Sequence, residues 1–196
     1  DYVQGNAPDQ AALNVLAQRM SERLNKPNGI QVVVDDAIAS SGSVYSTSAI
    51  RGLEQQHRDF PMQGTQASIY VLYLDGGSDQ DSGGSTVLGL TYSSSAFAMF
   101  KQSVAASANL VVTADEVESA VIVHELGHVL GLVNIGTATA QPHEDGVHVG
   151  HDVNDACVMY WAIESNDIRT IIQNRGSVPT QFDAQCIADS QAAGGK

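Results

Sequence analysis

Two histidines and a glutamate, His124, Glu125 and His128, stand together in the string H-E-L-G-H. On a helix, positions i and i+4 lie on one face, one turn apart. His124 and His128 can therefore point their imidazoles at a single cation, about 2 Å from each nitrogen. Glu125 is offset from His124 by about 100° around the helix axis. That makes it a poor ligand but a good proton carrier, able to take a proton from a water at the cation and return it to a leaving amine. A bystander role fits badly. Val117, Val121, Ile122, Leu126, Val129 and Leu130 make this segment apolar around most of its girth, the pattern of a helix buried inside a domain. Two imidazoles and a carboxylate buried there without partners would be strongly destabilising.

A catalytic zinc takes three protein ligands and keeps one position open. Gly131 follows His128 by three residues and permits a sharp left-handed exit from the helix. Beyond it come Asn134, His143, His148 and His151, and then Cys157-Val158-Met159-Tyr160. The run H-E-L-G-H-V-L-G-L with the downstream C-V-M resembles the metzincin clan of zinc peptidases, and most specifically archaemetzincin-like proteins. In those, the third ligand His is followed by Cys, four residues, then Cys-x-Met. Here His151 is followed by Asp152, four residues, then Cys157-Val158-Met159. The resemblance thus implies His151 as third ligand. His148 and His143, within what looks like an insertion, are alternatives, as is Asn134, which stands where the usual metzincin string has His or Asp. Asp152 replaces a family Cys and the later Cys-x-x-Cys is absent, so the family's second, structural zinc is not expected. Met159 is expected to shape the floor beneath the metal. Tyr160 is one place short of where some metzincins carry a metal-side Tyr.

The resemblance is specific over residues 124–161. It implies an α+β, zincin-like fold with a mixed twisted sheet. Residues 1–131 would form an N-terminal lobe ending in the active-site helix, and 132–196 a smaller, irregular and helical C-terminal lobe. The whole of 1–196 would be one catalytic domain with its cleft between the lobes. It further implies one catalytic Zn²⁺, Glu125 as general base and then general acid, and a protein or peptide substrate. Two other readings stay open: a catalytically silent zincin scaffold that binds metal or adheres, and a zinc hydrolase acting on a non-protein amide.

The elements that must hold these residues are partly legible. Thr113 followed by Glu116 is a capping-box pattern that starts the chemistry-bearing helix, and Asp115 and Glu116 suit its N-terminal end. Ala12, Leu13, Leu16, Met20 and Leu24 recur at helical steps and predict a helix over 8–25. A second helix is expected over 46–58, ended before Pro61. Ile30 to Val34 reads as a short buried strand and Ala67 to Leu74 as a strong one. Thr86 to Tyr92 and Ala96 to Phe100 read as two further strands or one bent edge strand. Residues 93–100 are a candidate edge above the cleft, where a peptide could add by β-pairing. Short helices are expected near 163–175 and 180–191. Asp75, Asp79 and Asp81 lie in a Gly-rich loop; calcium there is not favoured, because the spacing fits no EF-hand.

Composition narrows the function class. With 196 residues, 43% of them hydrophobic, the chain can bury a real core. A formal net charge of −13 repels phosphate backbones and makes nucleic acid a poor partner. No run of 18 or more apolar residues occurs, so no membrane span is expected. The two cysteines, Cys157 and Cys186, cannot build a four-cysteine zinc site. In an oxidising compartment they could close one disulfide, worth about 3–4 kcal/mol in the chain-entropy model. An extracellular or periplasmic monomer is the expectation.

Overall fold

The computed structural model describes residues 1–42 and 44–196. In chain order its elements are β1 (Tyr2–Val3), α1 (Gln10–Arg23), β2 (Ala37–Ile38), α2 (Thr47–His57), β3 (Tyr70–Leu74), β4 (Gly89–Ser93), β5 (Ala96–Phe100), α3 (Lys101–Ser107), α4 (Ala114–Val129), a 3₁₀ turn (Trp161–Glu164), α5 (Ile168–Arg175) and α6 (Ala184–Ala192). The strands form one five-stranded mixed sheet in the order β2-β1-β3-β5-β4. β4 is antiparallel to β5, and the other neighbours run parallel. The chain is therefore α+β. No helix among the described residues is long and apolar enough to cross a membrane.

The pleat sorts the core into two layers. Tyr73, Phe97 and Met99 face α1 and α4 and join the larger cluster, which includes Leu13, Leu16, Val121, Ile122 and Leu126. Leu72, Leu74, Ala98 and Phe100 face the other way and pack with Tyr45 and with Ile50 of α2. β5 is buried along its whole length, as a strand covered on both faces must be. It lies between β3 and β4, so Ala96–Phe100 is not the edge that was expected; the edge on that side of the sheet is β4.

Local chemistry sets the helix ends. The Asp9 carboxylate accepts from Ala11 N and starts α1, while Ser46 Oγ accepts from Ala49 N and starts α2. Glu116 reaches back to Thr113 N at 2.8 Å to begin α4. From Val117 to Gly127 every residue of α4 is buried, as its all-round apolar pattern requires.

The expected strand Ile30–Val34 is not one. The segment is irregular, with Val32, Val33 and Val34 39%, 44% and 49% exposed. No strand pairs with it among the described residues, and Asp36 N just beyond it donates to the Asp1 side chain at 3.2 Å. A cavity of about 930 Å³ lies beside it, lined by Leu13, Leu16, Met20, Ile69 and Val71 among others, and none of the histidines lines it. The expected helix over 163–175 is divided at Ser165 into the 3₁₀ turn and α5.

Candidate metal centre

α4 delivers His124 and His128 to one point, with their Nε2 atoms 3.0 Å apart. The third histidine there is His151, whose ring centroid lies 5.2 Å from His124 and 5.0 Å from His128. Gly131 turns the chain out of α4 with φ +73°, and Leu132 N closes back on Gly127 O at 3.0 Å. The loop then wanders through residues 132–150 before returning. Asp145 N donates to His151 O at 2.7 Å, and Asp152 N donates to Met159 O at 2.8 Å, which fixes His151 beside the Met-containing turn.

The other candidates lie elsewhere. Asn134 is exposed and donates to Glu144 at 3.0 Å. His148 pairs with Asp145 at 2.8 Å and stacks on Trp161 at 4.2 Å. His143 is wholly buried between two carboxylates, its Nδ1 2.7 Å from Asp152 and its Nε2 2.7 Å from Asp189. Tyr160 packs against Trp161, and neither His143 nor His148 is among the donors that converge with His124 and His128. Nor are the acidic-loop residues: Asp75 is turned inward, accepting from Ser40, from Gly42 N at 3.3 Å and from Tyr45 at 2.7 Å.

A residue that sequence reasoning missed completes the group. Glu164 places its carboxylate 3.4 Å from His151 Nε2, 3.7 Å from His124 Nε2 and 3.8 Å from His128 Nε2. One donor atom from each of these four residues lies within 4.8 Å of the others. Its position depends on tertiary pairing. Leu88 N donates to Glu164 O at 2.8 Å and Asn166 N to Thr86 O at 2.9 Å. The only sequence signal for Glu164 was a lone carboxylate five residues after Met159.

The donor chemistry fits a divalent metal. His124 Nδ1 lies 2.7 Å from Val158 O; a carbonyl can only accept, so Nδ1 donates there and Nε2 is the nitrogen turned toward the cluster. Among the described residues, His128 Nδ1 and His151 Nδ1 are buried without hydrogen-bond partners, and His151 Nε2 faces only the Glu164 carboxylate at 3.4 Å. Burial, reinforced by His124 and His151, pushes His128 well below the usual imidazole range and keeps it neutral, the form that ligates. Burial would raise the Glu164 carboxyl, but His124 and His151 hold it well below the usual range and keep it ionised.

Glu125 stands apart from the donors. Its Oε2 accepts from Thr91 Oγ1 of β4 at 2.7 Å, and its Oε1 is buried with no hydrogen-bond partner. Burial, with the charge of Glu164 adding to it, pushes Glu125 well above the usual carboxyl range against the Thr91 bond. Room for this carboxylate comes from Gly89, where a Cβ would lie 2.5 Å from Glu125 Oε1.

Met159 is wholly buried against Gly127. A Cβ at Gly127 would sit 2.1 Å from Met159 Sδ and 3.0 Å from Phe182 Cε1. Gly127→Ala gains about 1 kcal/mol in helix propensity. Overpacking a filled core costs about 1–3 kcal/mol, so packing wins. Urea unfolding is expected to show a net loss of about 1 kcal/mol; a stabilised variant would mean that Met159 swings aside freely.

A second group lies behind the first: His143, Asp152, Asp183 and Cys186 also converge. Both ring nitrogens of His143 are already engaged by carboxylates, so this group is held together as a buried ion-paired staple. The disulfide is not formed. Cys157 and Cys186 are buried free thiols with sulfurs 3.6 Å apart.

Compared with known proteins, the chain matches no protein-family model, no curated protein and no solved structure.

Proposed function

We propose that this chain is a zinc-dependent endopeptidase with a metzincin-like arrangement. One observation carries the reading: the imidazoles of His124, His128 and His151 converge at one buried point, and beside them lies a carboxylate, that of Glu125, that is not one of the donors. A site built only to hold metal has no use for Glu125, which is left half-satisfied in a dry environment. His124, His128 and His151 would hold the ion. Zinc bound there would supply Lewis acidity, making a water acidic near neutral pH and polarising the scissile carbonyl. Glu125 would accept the water's proton and carry it to the leaving amine. Thr91 orients Glu125 through Oε2 and leaves Oε1 free for that transfer. β4, the last strand of the sheet, carries Thr91 and Gly89 beside Glu125 and would align an extended peptide by main-chain pairing.

One observation favours a second reading, a metal-binding protein without turnover. Glu164 supplies a fourth protein donor, and four protein ligands are the mark of a closed structural zinc site.

The test is cleavage of casein by protein carrying one zinc, before and after removal of the metal with a chelator. Cleavage that stops on chelation and returns with added zinc is expected. Undiminished cleavage by metal-free protein would end the peptidase reading.

A further inference from the structure

We infer that Glu164 is an exchangeable fourth ligand, a carboxylate gate that closes the metal centre at rest and swings outward to admit substrate. The inference rests on the reading of His124, His128 and His151 as the metal-holding residues.

Three observations carry it. Among the described residues, Glu164 is the only carboxylate that touches all three imidazoles, and it does so through both oxygens, Oε1 toward His151 and Oε2 toward His124 and His128. It thus stands where a fourth donor to a shared cation would stand, in the place a reacting water needs. Its surroundings are also lopsided. The side chains of His124, His128 and His151 are 0%, 8% and 11% exposed, whereas that of Glu164 is 38% exposed. The three imidazoles are locked in the core, but more than a third of the Glu164 side chain faces solvent.

Third, the backbone of Glu164 is fixed by main-chain pairing, while among the described residues its carboxylate is held by the histidines alone. Leu88 N donates to Glu164 O, and Ser165 bridges Val87. The Glu164 carboxylate accepts no hydrogen bond from an N–H or O–H outside the histidine group among the described residues. Opening therefore needs only rotation about side-chain torsions, with no change in fold. Staggered rotamers of an exposed glutamate interconvert on the ps–ns scale, so the gate itself need not limit turnover. A fixed structural ligand would be expected to be as buried as its partners and held by a second bond, as His124 is by Val158 O.

The experiment compares wild type with Glu164→Gln and Glu164→Ala, using Co²⁺ as a spectroscopic probe and acetohydroxamate as a small bidentate metal ligand. Two variants guard against a folding failure in either. Co²⁺ affinity, measured by chelator competition, is expected to fall at least about 10-fold in both, because a direct charged donor is lost. Acetohydroxamate should displace Glu164 in wild type, shifting the cobalt d–d bands. It should bind the cobalt-loaded variants at least about 10-fold more tightly, since no carboxylate has to leave. Unchanged Co²⁺ affinity in both variants would overturn the proposal. So would a wild-type spectrum that acetohydroxamate never alters, which would make Glu164 a permanent ligand. Casein cleavage by the zinc forms is scored separately. If the cobalt results are as expected and no form cleaves casein, the gate stands as a property of the metal centre and the peptidase reading falls.

Discussion

Glu125→Gln is expected to bind one metal ion as tightly as wild type and to cleave casein about 10²- to 10⁴-fold more slowly, the range supplied by a positioned general base. The two halves of this result come from different parts of the geometry. Metal affinity is retained because Glu125 is outside the donor group. Activity is lost because a neutral amide cannot accept the proton. A third consequence sharpens the test. The wild-type carboxylate is buried, has one unpartnered oxygen and faces the charge of Glu164. Burial and Glu164 disfavour the ionised form of this carboxyl, and an uncharged isostere never has to carry that charge, so the variant should unfold at the same temperature as wild type or higher. Calorimetry and a casein assay on one preparation check both points. A Gln variant that cleaves at the wild-type rate would remove Glu125 from the mechanism.

Asp189→Ala should cost about 3–5 kcal/mol of stability, the usual penalty for removing one member of a buried charge pair. Asp189 and Asp152 grip His143 from its two ring nitrogens, and all three side chains are fully buried. Asp189 also accepts from Ala140 N at 2.6 Å, so it pins the long loop to α6 at two points. His151 emerges from that loop next to Asp152. Loosening the loop should therefore weaken metal binding as well, which chelator competition would show.

The pH dependence provides an internal control. Burial by itself would lower the His143 pKa, but its bonds to Asp189 and Asp152 outweigh burial and raise it. A raised folded-state value means stabilisation that is complete below the ordinary imidazole pKa of about 6.5 and is lost as pH climbs through the raised value. Wild type should lose this contribution on the alkaline side. In Asp189→Ala that loss should shrink. Urea titrations at several pH values measure both, and an unchanged midpoint in the variant would show that the staple contributes nothing.

What could be read from the chain was what depends on local periodicity. The i, i+4 spacing put His124 and His128 on one face, the all-round apolar pattern buried α4, and Thr113 with Glu116 marked its start. Gly131 announced the turn that the structure shows at positive φ. Helices α1 and α2 fell within a few residues of expectation because their caps are side-chain chemistry visible in sequence. What could not be read depends on long-range pairing. Glu164 reaches the histidines only because residues 86–88 pair with 164–166, and Asp189 meets His143 from 46 residues away. Thr91 touches Glu125 across 34 residues. Ile30–Val34 failed as a strand for the same reason. Its β-propensity is real, but a strand needs a neighbour, and none is there among the described residues.

That unpaired valine run bears on how copies of the molecule behave toward one another. Ile30 to Val34 is a short, β-prone stretch that lies in no strand and turns its three valines to solvent, the kind of template on which intermolecular cross-β stacking starts. Two features oppose it. Asp35 and Asp36 follow immediately as gatekeepers, and a net charge of −13 keeps copies apart. Both defences are electrostatic. Salt that shortens the Debye length to a few ångströms, or acid that protonates the carboxylates, weakens both at once, while the apolar attraction between valines persists. The colloidal stability of this protein is thus conditional on its charge, and that condition is set by a segment far from its chemistry.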